Sequence, residues 1–210
     1  MKKLLFALPL AAAIPLIAQM PMKAPGAPDP ARVTAGTYSV DPGHTLVGWR
    51  VDHLGFNDYF GIFGDSSGTL KLDPKNPNAA KVDITIPVSK VTTASKGLTD
   101  HLLRPGRDGS KADFFGANPA DARFVSTQVS AMGTRAKIAG NLTLNGVTKP
   151  VILDATFAGA GKGPPQAGGK ETVGFHAMST IKRSEFGIGY GIPMVPDKVR
   201  LDITVAFEKN

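Results

Sequence analysis

Cysteine is absent from this 210-residue chain. That excludes a disulfide framework, a thiolate zinc site, a redox dithiol and a lipid-modified cysteine anchor. Tryptophan occurs once, and histidine four times, as His44, His53, His101 and His176. No two histidines stand in an H-x-H or H-x-x-x-H pair, the spacings at which one element presents two ligands to a metal, so no metal is assigned. There is no G-x-S-x-G elbow and no Walker loop, and no cofactor is implied. Gly187-Ile188-Gly189-Tyr190-Gly191 is glycine-rich but opens no helix, so it reads as a rim loop rather than a dinucleotide fingerprint. Nor is there an unbroken apolar run of the roughly 20 residues that a membrane-crossing helix needs.

Charge is present without being clustered. The formal net charge is +7 and the sequence pI is near 9.7. Lysines and arginines are spread out among acids, with no basic run or stripe of the kind that marks a nucleic-acid surface, so no nucleic-acid partner is expected. A mildly basic surface suits contact with anionic lipid head groups better. Glycine (24) and proline (17) are plentiful, which favours many turns and few long helices.

Lys2-Lys3 followed by the mainly apolar Leu4 to Ala18 has the charged start and short apolar core of a secretory signal. Pro9 and Pro15 interrupt it, and Leu16 is a poor residue three places before a cut after Ala18. The sequence predicts a signal peptide over 1–18, hence a periplasmic protein. A flexible Pro/Ala-rich linker is expected over 19–36 and one folded domain over 37–210.

Within that domain the apolar residues alternate. Val47, Trp49 and Val51 form one such set; Val82, Ile84, Ile86 and Val88 another. Further sets are Ile138 to Leu144, Val151 to Phe157, Val173 to Ile181 and Val199 to Phe207. Period two with one apolar face means half-buried antiparallel strands. Asn145-Gly146 between two runs suits a type I′ hairpin turn. Asp73 to Asn78 is a second turn cluster, and Gly159 to Gly169 is read as a long loop. One short helix is expected near 94–104, with Leu98 and Leu102 on one face and Pro105 as its stop. About eight strands with these turns fit an all-β sandwich or barrel, and spacing alone does not choose between them.

Several stretches point to a family. They are Tyr38-Ser39-Val40-Asp41 with His44, Val51-Asp52-His53-Leu54-Gly55-Phe56, Gly61-Ile62-Phe63-Gly64-Asp65, Asp100-His101-Leu102, Leu142-Thr143-Leu144-Asn145-Gly146-Val147-Thr148-Lys149-Pro150, and Arg183-Ser184-Glu185-Phe186-Gly187-Ile188. In this order, from about Thr37 to Glu208, they resemble the YceI family of lipid-binding proteins. The resemblance implies an extended lipocalin-like antiparallel β-barrel and a tunnel for a polyisoprenoid chain, such as a quinone tail or a polyprenyl phosphate. It implies no enzyme activity, and it leaves a homodimer open. The chain departs from the pattern at 105–112, which reads as an insertion after the helix and leaves the lid geometry open, and at Glu185, where Asp is more usual.

A long isoprenoid needs a dry, continuous apolar wall, since burial contributes about 25 cal/mol per Å². The candidate tunnel residues are Trp49, Phe56, Phe60, Phe63, Phe114, Phe124, Leu142, Phe175, Ile181, Phe186 and Ile188. Gly140, Ala155 and Ala177 are small at inward positions and would leave volume unfilled. A head group needs a few polar partners. His53 falls on the inward side of its strand, His101 sits on the helix facing the mouth, and the Arg183 guanidinium suits phosphate. The alternative is an enzyme acting on a small lipid with His53 or His101 as general base.

Overall fold

The computed structural model describes residues 23–210. The expected signal peptide and the first residues of the expected linker lie outside the described residues. Eleven strands form one antiparallel sheet: β1 (Gly36–Val40), β2 (Leu46–His53), β3 (Asn57–Phe63), β4 (Ser67–Leu72), β5 (Lys81–Ile86), β6 (Val91–Thr92), β7 (Ala122–Met132), β8 (Arg135–Leu144), β9 (Val147–Lys162), β10 (Glu171–Lys182) and β11 (Lys198–Lys209). In the order β1-β4-β5-β7-β8-β9-β10-β11 the sheet closes on itself, because β1 also pairs with β11 through Val40 and Phe207. The result is an eight-strand barrel, the architecture the family resemblance implies.

Three of its strands are broken at one level. β1 and β2 are interrupted by Asp41–Thr45, β4 and β3 by Gly64–Ser66, and β5 and β6 by Pro87–Lys90. Below the break β1 pairs with β4, and above it β2 pairs with β3 and β3 with β6. β11 carries β1 on its last residues and β2 on Arg200–Thr204. β2 beyond Arg50 is paired with β3 alone, so the β2–β3 hairpin rises past the barrel rim.

Local chemistry explains the tight connections. Asn145 and Gly146 have φ of 51° and 75°, as a type I′ turn requires, and join β8 to β9 directly. The one α-helix among the described residues, α1 (Lys96–Leu103), starts at Ser95, whose Oγ accepts from Leu98 N at 3.3 Å, and stops before Pro105. Leu102 is its buried residue, and its carbonyl accepts from Phe115 N at 3.0 Å, which fastens the helix to the segment after the insertion.

Two sequence expectations are revised. The stretch from Gly159 is strand as far as Lys162, and the loop begins only at Gly163. Ala160 pairs with Val173 on one side and exchanges two backbone hydrogen bonds with Ala27 on the other, at 3.0 and 2.9 Å. Gly159 and Gly161 lie against Ala27 and Pro25, where a side chain would collide with backbone. For the same reason the segment read as a free linker is docked from Ala27 onward. Val33 is buried with Tyr38, Val40, Leu70 and Phe207 in the apolar cluster at this end. A second cluster of Val151, Ile181, Phe186 and Ile188 fills the opposite end.

The inward residues between these clusters are incompletely covered. Along β11, Arg200, Asp202 and Thr204 are exposed, yet Val199, Leu201, Ile203 and Val205 on the opposite face are only half-buried. In a filled core such residues lose nearly all their surface. Here the residual surface of Leu201, Ile203 and Val205 faces a hollow.

Candidate functional site

The hollow has a volume of about 280 Å³ and is lined by inward residues of nearly every barrel strand. Val47, Val82, Ile84, Ile138, Leu153, Phe157, Ile203 and Val205 make most of its wall. Ala155 and Ala177 stand opposite one another on β9 and β10 and both line it, so small side chains widen the barrel at that level. Gly140 also faces inward, but its space is taken. A Cβ there would sit 2.6 Å from Phe124 Cε2 and 2.7 Å from the Val125 carbonyl, so the missing side chain makes room for the Phe124 ring rather than for a ligand.

Polar groups are few and placed at the margins. Thr45 is buried, but its hydroxyl is occupied by Ala206 of β11, donating to its carbonyl at 3.4 Å and accepting from its N–H at 3.2 Å. Thr134 and Arg135 border the cavity at the β7–β8 hairpin, near Pro30, Pro74 and Pro77. The wall is therefore suited to a hydrocarbon and offers little to a polar group.

The residues singled out from sequence separate into three sets. Phe124, Leu142 and Phe175 line the cavity. Ile181, Phe186 and Ile188 belong to the end cluster, with Phe114 packed on it, and Phe63 packs on Phe115 with ring centroids 5.9 Å apart. Trp49 lies over Gly61, its cross-strand partner on β3, where a Cβ would come within 2.6 Å of the indole. Phe56 and Phe60 do not face the interior. Phe56 is the tip of the β2–β3 hairpin and is 85% exposed, and Phe60 is on the outer face opposite Arg50, whose guanidinium sits 5.5 Å from its ring centre.

The head-group candidates are also relocated. His53 is exposed, because the barrel has ended before β2 reaches it and the inward direction there opens into solvent. His101 is half-buried beneath the insertion. Its Nε2 lies 2.7 Å from Asp113 Oδ2 and 2.9 Å from Arg104 Nη2, and Arg104 Nη2 donates to the same Asp113 oxygen at 2.8 Å. Arg104 first and His101 second hold the Asp113 carboxyl below the usual range. The His101 ring packs edge-on against Phe114 and Tyr190. The 105–112 insertion thus returns an aspartate that pins the helix, and neither histidine considered as a base lines the cavity.

Arg183, read from sequence as a head-group partner, does not line the cavity. It is buried, and its guanidinium donates to four carbonyls of the 188–196 loop: Ile188 (3.1 Å), Tyr190 (2.7 Å), Val195 (2.6 Å) and Pro196 (3.0 Å). Burial lowers its pKa, and nearby Asp197 opposes that shift. Asp197 caps the same turn by accepting from Ser184 N and Oγ, both at 2.8 Å. Arg183 is the internal brace of the loop that closes this end.

Among the described residues no three His, Asp or Glu side chains converge as a metal site. The wall residues that sequence reading passed over, such as Ile84, Ile138, Leu153 and Ile203, are aliphatic. Strand parity was the signal that could have found them.

Comparison with known proteins adds the following. The sequence matches the family model of the YceI-like domain over residues 38–207. A UPF0312 protein of Pseudomonas paraeruginosa is 39% identical over 175 residues, covering 81% of this chain and 86% of the relative. The crystal structure of BcnA from Burkholderia cenocepacia superposes with a TM-score of 0.64 at 26% identity, over 80% of this chain and 98% of that one. A polyisoprenoid binding domain from Saccharophagus degradans, implicated in plant cell wall breakdown, shares the fold at a TM-score of 0.53 and 13% identity, over 82% of this chain and 98% of that one.

Proposed function

The chain belongs to the YceI-like family, and from that premise we propose that it binds the chain of a long isoprenoid lipid inside its barrel, without catalysis, to carry or sequester it. The observation that carries this reading is the hollow: a closed barrel whose inward aliphatic residues keep accessible surface toward an interior of about 280 Å³. Transfer of apolar surface from water into such a wall contributes about 25 cal/mol per Å². A hydrocarbon tail therefore gains from every isoprene unit it places there, with no single residue decisive. Ala155 and Ala177 provide width where larger residues would fill the barrel. The polyisoprenoid-binding neighbour of the same fold is consistent with this chemistry.

A quinone tail and a polyprenyl phosphate both suit the wall. The signal-like segment at 1–18 supports a periplasmic location, and the net charge, +7 for the full chain and about +5 without Lys2 and Lys3, supports contact with an anionic lipid surface. The test is organic extraction of the natively purified protein followed by mass spectrometry, with titration of the emptied protein by an isoprenoid alcohol. Recovery of an isoprenoid in stoichiometric amount is expected. Extracts free of any isoprenoid, together with no binding of the added alcohol, refute the proposal.

A further inference from the structure

The barrel wall has a seam. β9 and β10 are paired from Glu171–Lys162 as far as Met178–Asp154, and there the ladder ends, although β9 begins at Val147 and β10 continues to Lys182. Had it continued, Ile152 would face Thr180 and Pro150 would face Lys182. Over this stretch β9 is paired only with β8, and β10 only with β11. Pro150 stands in the gap and has no N–H to offer a neighbour. The link across the seam is a side chain: Ser179 Oγ donates to the Ile152 carbonyl at 2.8 Å. Without ladder hydrogen bonds between the facing edges of β9 and β10, this part of the wall is weakly joined.

The seam lies between two spaces. Outside it is a groove of about 690 Å³, whose floor includes the inward side chains Val151, Ile181, Phe186 and Leu201. Val151 and Leu201 line the internal cavity as well, so they alone are shared by the groove and the hollow. The flanks are exposed Ile152 and Met178, and beyond them Thr180, Lys182 and Arg200, together with Glu185 and the Lys137–Asp154 ion pair, give the groove a polar margin of mixed charge.

We infer that the β9–β10 seam is a lateral gate, through which an amphipathic isoprenoid passes tail-first while its polar head group stays in the outer groove. This rests on the isoprenoid-binding reading and adds the route and the lipid's orientation. The head stays outside because the cavity wall would strip its water and return few hydrogen bonds. The tail crosses here because moving Val151 and Ile181 aside breaks no strand ladder, whereas parting any intact pair of neighbouring strands does.

The absence of cysteine makes the test clean. Ile152→Cys and Thr180→Cys in one chain place two outward thiols on opposite sides of the seam, to be joined by a short cleavable thiol-reactive linker. Loading is followed by stopped-flow with a fluorescent geranylgeranyl phosphate. The linked protein is expected to load about tenfold more slowly or worse, as for association that waits on a conformational opening, and to recover when the linker is cut. Ser179→Ala, which removes the tether without adding bulk, is expected to load faster than the unmodified chain. A linked protein that loads at the unlinked rate overturns the gate while leaving the binding reading intact. Unlinked protein that takes up no isoprenoid at all overturns the binding reading, and the gate with it.

Discussion

Replacing Arg183 by Met removes the brace of the 188–196 loop while keeping most of the side-chain volume. Four carbonyls, those of Ile188, Tyr190, Val195 and Pro196, then lose a charged donor. Hydrogen bonds to a charged group contribute about 1.5–3 kcal/mol each, which overstates the net loss, because burying a guanidinium itself costs several kcal/mol. The rim carbonyls can also recruit water in the variant. Removing one side of a buried charged network typically costs about 3–5 kcal/mol, and we expect the lower part of that range. For a chain of this size each kcal/mol lowers Tm by about 2–4 °C, so the expected fall is about 10 °C by differential scanning calorimetry. Amide exchange should quicken at Ile188 and Val195, whose N–H groups bond to Arg183 O and Gly191 O, before it does in β8 or β11. Lys182→Met, one residue away and exposed, serves as the comparison and should shift Tm by no more than a degree or so, as surface changes do. A fall in the Arg183 variant no larger than that of the Lys182 variant, or unchanged exchange in the loop, refutes the brace.

Ala177→Leu places extra carbon in the hollow at about 0.8 kcal/mol per buried CH₂, so Tm should rise while isoprenoid affinity falls; a protein that loses both contradicts an empty cavity at that level. Gly140→Ala should cost about 1–3 kcal/mol as an overpacking change, read by urea denaturation, because the new methyl meets Phe124 and the Val125 carbonyl. Glu171 gives a pH dependence. Burial pushes its pKa up, but hydrogen bonds from Tyr38 and Thr34 outweigh this and leave it lowered. A carboxylate lowered on folding stabilises the protein above its unfolded pKa of about 4.3, and that contribution is lost as pH falls through this value toward the folded one. Glu171→Gln should therefore flatten the acid limb of Tm against pH, and an unchanged acid limb would count against the Tyr38–Thr34–Glu171 cluster.

The fold was legible wherever alternation reports a half-buried strand, and Asn145-Gly146 gave one connection outright. What alternation lacks is reach. His53 keeps the inward parity of Val47, Trp49 and Val51, but whether inward means core or solvent depends on where β11 stops, which is a property of the whole barrel. Phe56 and Phe60 are large and apolar, and that does not tell a lining residue from one at a hairpin tip or on an outer face. Aliphatic positions such as Ile84 and Leu153 carry the inward parity, but parity alone does not tell a cavity wall from a filled core. Arg183 reads as a head-group partner, since its actual acceptors are backbone carbonyls contributed by a loop that leaves no mark in residue type. The docking of Ala27 onto Ala160 is equally silent, except for the glycines that flank Ala160.

Closure through β1 and β11 also governs how the chain comes to be folded. The ladder that completes the ring joins Tyr38–Val40 to Phe207–Lys209, so the ring is sealed by partners far apart along the chain. Topologies dominated by such distant pairings search slowly, on the order of milliseconds to seconds. Until β11 meets β1, both strands present bare edges and the aliphatic inner wall lies open, a species prone to self-association.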